Sequence, residues 1–122
     1  MVGPRQVQEG LSQIRAAAAD HGRSHDAVSV ALFAWTAVDA DAEWARRTGI
    51  AAVSAAYRQD FSALADRYLL LGDPDHVAAR LAEFAEAGVE TVVLQVAAES
   101  SSDRHRVISS LAEAVIPLAK DL

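Results

Sequence analysis

The sequence predicts an α/β domain with parallel strands. Three observations lead there. Two long apolar runs, Ala27–Val38 and Glu90–Ala97, carry almost no polar alternation, the pattern of strands buried on both faces. The stretches between and around them have helical spacing of apolar residues. Strands alternating with helices suggest βαβ units and parallel pairing.

Each element has a local reason. Val7, Leu11, Ile14, Ala17 and Ala18 fall on one face of a helix over about 5–21, closed by Gly22, which takes a left-handed cap conformation freely. The first strand, near 28–36, is apolar on both faces apart from Ser29 and Thr36. Asp39 and Asp41 offer N-caps for an alanine-rich helix through about Tyr57, with Thr48-Gly49 expected to bend or split it. A short helical segment follows over Phe61, Leu64, Ala65 and Tyr68. Leu69-Leu70-Leu71 is too short to assign. Gly72-Asp73-Pro74-Asp75 is a helix start: Asp73 caps, Pro74 fits the first helical position and Asp75 suits the positive helix end. Val77, Ala78, Leu81, Phe84 and Ala85 give this helix its buried face, and Gly88 closes it. The second strand spans 91–97. Ser100-Ser101-Ser102-Asp103 matches a capping box before a last helix carrying Val107, Ile108, Leu111, Val115 and Leu118, with Pro117 near its end.

Composition excludes several functions. The chain has 122 residues, the length of one domain, and a formal net charge of −6. Without a basic cluster there is no surface to neutralise nucleic-acid phosphates. No apolar run reaches the roughly 18 residues of a membrane span. Residues 1–5 lack the apolar stretch of a signal peptide, and a cytoplasmic protein is expected. Zero cysteines rule out disulfides, thiolate metal sites and a thiol nucleophile. His21, His25, His76 and His105 are scattered, and no carboxylate spacing completes a metal site. No metal is expected. With 27 alanines, much of the apolar content is the smallest hydrophobe.

The segment Tyr68–Leu81, read Tyr-Leu-Leu-Leu-Gly-Asp-Pro-Asp-His-Val-Ala-Ala-Arg-Leu, runs into Ala87-Gly88-Val89-Glu90-Thr91-Val92-Val93-Leu94-Gln95. That ordered set resembles the C-terminal region of the bacterial luciferase-like monooxygenases. The stretch Ile14–Asp26, the strand Val28–Trp35 and the terminal Val115-Ile116-Pro117-Leu118 resemble them too, so the likeness covers nearly the whole chain. It implies a flavin- or deazaflavin-dependent oxidoreductase on a (β/α)₈ barrel, with FMN or a deazaflavin as cofactor. A full barrel has eight strands in about 250 residues. The two strands evident here map onto the last two, so the expected fold is a partial barrel segment. The strands that carry most flavin-ring contacts in that family have no counterpart, and no catalytic residue is carried over.

Barrel active sites lie at the C-terminal ends of the strands, and the last two loops often bind phosphate. By resemblance these loops are Thr36–Asp41 and Ala97–Asp103. Ser100, Ser101 and Ser102 offer hydroxyls and backbone N–H groups at a helix start, where the dipole favours an anion; Arg104 and Arg106 add charge. The competing reading is a helix cap with ordinary surface charges, which Glu99 and Asp103 favour by repelling phosphate. Asp39, Asp41 and Glu43 form an acidic group that suits a first helical turn. Trp35 and Trp44 either flank a pocket or pack in the core.

Two functions follow. In one, the chain is part of a luciferase-like oxidoreductase that needs a partner chain to supply the missing strands. In the other it is a non-catalytic, self-associating α/β module. Uncovered apolar strand edges are rarely tolerated in water, so the chain is expected to be a homodimer or to pair with another chain.

Overall fold

The computed structural model describes residues 1–122. Helix α1 (Pro4–Asp20) leads to strand β1 (Ala31–Val38), then α2 (Ala42–Tyr57), the one-turn α3 (Ala65–Tyr68), strand β2 (Leu70–Gly72), α4 (Pro74–Glu86), strand β3 (Thr91–Val96), α5 (Ser101–Ser110), a π-helical turn (Leu111–Val115) and α6 (Ile116–Ala119). Both expected strands form, and they are parallel neighbours, with Ala31 opposite Thr91 and Thr36 opposite Val96. The chain is α/β with a parallel sheet, as expected.

A third strand joins them. Leu70–Gly72 pairs in parallel with Thr36–Val38, giving the order β2-β1-β3. Three residues leave no readable periodicity, so the expectation of two strands fell one short. Tertiary pairing decides this element. Leu70 and Leu71 are buried, and the hydroxyl of Thr36, itself fully buried, donates to the Leu70 carbonyl at 2.8 Å. The polar break noted in the first apolar run is thus a bond between strands.

Alternate residues of β1 face opposite sides of the sheet. Leu32, Ala34 and Val38 join Val77, Leu81 and Phe84 of α4, and Val107, Leu111 and Val115 of the C-terminal helical run, in one core. Burying side chains such as Phe84, Val77 and Val107 contributes about 1.5–3 kcal/mol each. On the other face α2 covers the C-terminal end. It runs unbroken through Thr48-Gly49, against expectation, because Gly49 is a close-approach residue: a Cβ there would lie 2.3 Å from a Leu71 methyl and 3.2 Å from the Ala37 Cβ. The N-terminal part of this face is bare. Phe33 and Val93, opposite one another in register, are 57% and 53% exposed.

Caps behave as their chemistry dictates. Asp41 accepts from the Trp44 N–H, Asp73 from the His76 N–H and Ser100 from the Asp103 N–H. Gly22 and Gly88 take positive φ. The apolar face expected of α1 is only partly used, since Leu11 is buried while Ile14 is 45% exposed. The expected last helix is one continuous run with a wider turn in it. Pro117 has no N–H for the Glu113 carbonyl and its ring crowds that position; the π turn directly before it accommodates both.

Candidate functional site

Parallel pairing puts the C-terminal ends of β1 and β3 side by side, and so gathers the two loops that follow them. Ala97 continues the ladder, its N–H donating to the Thr36 carbonyl at 2.8 Å. On one side of this rim lies the Asp39–Asp41 turn, on the other the start of α5.

Asp39 organises the first loop. Its N–H donates to the Gly72 carbonyl at 3.2 Å, tying the ends of β1 and β2 together. Its carboxylate accepts from the Asp41 N–H at 2.9 Å. Both oxygens accept from Arg106, Nε and Nη2 each at 2.8 Å. This two-pronged geometry is the strong form of an Arg–carboxylate pair. The Asp39 side chain is only 13% exposed. The Arg106 hydrogen bonds hold its carboxyl below the ordinary Asp value; desolvation opposes them and the Asp41 N–H adds to them. Hydrogen bonding to Asp39 likewise raises the Arg106 pKa, with burial opposing. The Arg106 guanidinium also lies 3.7 Å from the Trp44 ring centre, a cation–π contact. One arginine on α5 thus clasps the turn that starts α2.

Ser100, Ser101, Ser102 and Arg104 share the first turn and a half of α5. The Ser100 hydroxyl is the helix cap and also lies 3.3 Å from that of Ser102. All three serines and Arg104 are exposed, and Arg104 is in none of the ion pairs. The backbone N–H groups of Ser101 and Ser102 lie in the first helical turn, where donors have no intrahelical partner. Arg106 does not join this group as a free cation, because Asp39 and Trp44 hold it. The sequence could not reveal that clasp: its members stand 67 residues apart, and only the strand pairing brings them together. A faint signal existed in Asp39, an acid at a strand end with no basic residue near it in the chain.

The tryptophans part company. Trp44 lies under Arg106. Trp35 donates from Nε1 to the Tyr57 hydroxyl at 3.3 Å and meets the Phe33 and Tyr57 rings edge-on. No three His, Asp or Glu side chains converge as a metal ion would require. No helix is long and apolar enough to cross a membrane.

A three-stranded parallel sheet with its loops gathered at the strand C-terminal ends is consistent with a part of a β/α barrel. Among solved structures, the chain is similar to the monooxygenase RslO1 from Streptomyces bottropensis, with 25% identity and a TM-score of 0.69, over 93% of this chain and 38% of that one. It is similar in fold to the coenzyme F420 dependent tetrahydromethanopterin reductase from Methanopyrus kandleri, with 19% identity and a TM-score of 0.69, over 94% of this chain and 42% of that one. The chain therefore spans about two fifths of the length of either. These structures support the resemblance to the luciferase-like monooxygenases read from the sequence. No protein-family model and no curated protein matches the chain.

Proposed function

We propose that the chain is the phosphate-binding end of a luciferase-like oxidoreductase that uses FMN or a deazaflavin, and that it works only when other strands complete the barrel. The observation that carries this is the position of the α5 N-terminus, beside the C-terminal ends of β1 and β3, where barrel enzymes hold phosphate. When bound, such a cofactor supplies hydride transfer.

The residues present suit the phosphate of that group. Ser101 and Ser102 provide hydroxyls and unpaired backbone N–H groups, Ser100 holds the helix start in place, and Arg104 adds a cation on the next turn. Asp103 and Glu99 work against an anion, so binding by this chain alone is weak. The Asp39–Arg106 clasp is a positioning device, since it fixes α5 against the strand ends. A second copy or a partner chain can supply the completing strands, in a cytoplasmic assembly.

A fluorescence titration of FMN and riboflavin tests this. FMN should bind more tightly than riboflavin, which lacks the phosphate, and Arg104→Glu should abolish the difference. Equal binding of both, or none, would overturn the phosphate site. The second reading, a non-catalytic self-associating module, is favoured by the bare face around Phe33 and Val93.

A further inference from the structure

We infer that a second copy of this chain stacks its bare sheet face onto this one, across a two-fold axis that runs along the strands beside Val93.

The pleat sets what the face presents. Odd-numbered residues of β1 and β3 point away from the core shared with α4 and the C-terminal helical run, as alternation along a strand requires. Ala31 and Thr91, Phe33 and Val93, and Trp35 and Gln95 therefore stand on it as neighbouring pairs. Five of the six are exposed and Trp35 is half-buried. None carries a charge, on a chain with a formal net charge of −6. The Phe33 and Trp35 rings meet edge-on with centres 6.2 Å apart, and the Tyr57 ring stands beyond Trp35. A sheet face left in water carries polar side chains at these alternate positions. An aromatic, charge-free centre beside uncharged polar residues is instead the make-up of a protein interface.

No helix of the chain lies over this half of the face. α4 and the C-terminal run cover the opposite side, α1 packs against α4, and α2 packs on β1 and β2. The area fits a partner of this size. The chain exposes 7344 Å², whereas a folded monomer of 12.9 kDa exposes roughly 6,300 Å². The excess, roughly 1,000 Å², is about one side of a standard protein interface, near 800 Å² per partner.

Shape selects a second copy. Stacked sheets lie about 10 Å apart, and a helix with its side chains is about 10–12 Å across. α2 thus rises from its own sheet about as far as a stacked sheet would, and walls the face on the β2 side. On the other side β3 ends the sheet, with no strand beyond it. A two-fold axis along the strands sets each α2 beside the free edge of the other copy's β3. Each bare face then has a sheet over it, and each open edge has a helix alongside, one of the ways proteins protect an edge. The two β3 strands stack, and Val93 faces the partner's Val93.

Light scattering after size exclusion of the full chain, without cofactor, reads the association apart from the oxidoreductase reading. A mass of two chains is expected. Phe33→Lys and Val93→Lys should each give one chain with an unchanged circular dichroism spectrum, because both side chains are exposed in the single chain and only the stacked copy buries the added charge. Single-cysteine variants of this cysteine-free chain supply a second readout. Val93→Cys should cross-link to a covalent dimer with a bis-maleimide spanning about 10 Å, the sheet spacing. Ile108→Cys, comparably exposed but on α5 behind the opposite face, should not. A one-chain mass at every concentration tested, a dimer that survives either lysine variant, or faster cross-linking through Ile108→Cys would overturn the inference; the first is also what a face kept for strands of a different protein would give.

Discussion

Replacing Thr36 with valine isolates the bond that fastens the shortest strand. Valine keeps the volume and the β-branching, so the packing of β1 is unchanged to first order. What disappears is the 2.8 Å hydrogen bond from Oγ1 to the Leu70 carbonyl. A net hydrogen bond contributes about 0.5–1.5 kcal/mol, and the Leu70 carbonyl keeps its ladder bond from the Ala37 N–H, so no acceptor is left wholly unpaired. Burying a methyl in place of a hydroxyl returns part of that. The expected net loss is about 1 kcal/mol. Thr36→Ser keeps the bond but loses a buried methyl, about 1 kcal/mol by the usual value per carbon plus a small cavity. Thr36→Ala loses both and should cost about 2 kcal/mol. Urea unfolding measures this series through the midpoint, at constant slope. Valine as stable as the parent, with serine clearly weaker, would show that the hydroxyl contributes nothing and that β2 is held by apolar packing alone.

Other expectations follow from single contacts. Asp39 titrates below its ordinary value in the folded chain, so its contribution is fully present above the unfolded pKa of about 4 and is lost as pH falls through the lower folded value; acid unfolding of Asp39→Asn should lose that part of the pH dependence. Asp73→Ala removes the side-chain acceptor of the His76 N–H and should cost about 1 kcal/mol in chemical denaturation. Phe84→Ala, at a residue 2% exposed, should cost about 3–5 kcal/mol in chemical denaturation. Elemental analysis of protein purified without an affinity tag should find no stoichiometric zinc, iron or copper.

What was legible in the sequence follows physical range. Ala27–Val38 and Glu90–Ala97 read as buried strands because burial on both faces leaves a continuous apolar run. Caps read well because Asp73, Asp41 and Ser100 act within three residues. What depended on distant partners did not read. Leu70–Gly72 becomes a strand only because Thr36–Val38 lies beside it. Gly49 looks like a helix breaker until Ala37 and Leu71 are seen against it, where only a missing side chain fits. In the candidate site, Ser100–Ser102 and Arg104 were placed at one helix start by local signals. The Asp39–Arg106 clasp joins two loops that only the sheet makes adjacent, so the serine turn was visible and what braces it was not.

Oxidation of reduced flavin by the purified chain alone tests the central proposal, that these strands act on flavin only when others complete the barrel. Catalysis of hydride transfer needs a closed, preorganised pocket, and a three-stranded sheet with one bare face does not enclose one. The account predicts a rate equal to that of free reduced flavin in the same buffer. Steady turnover well above that background, lost in Arg104→Glu, would contradict it.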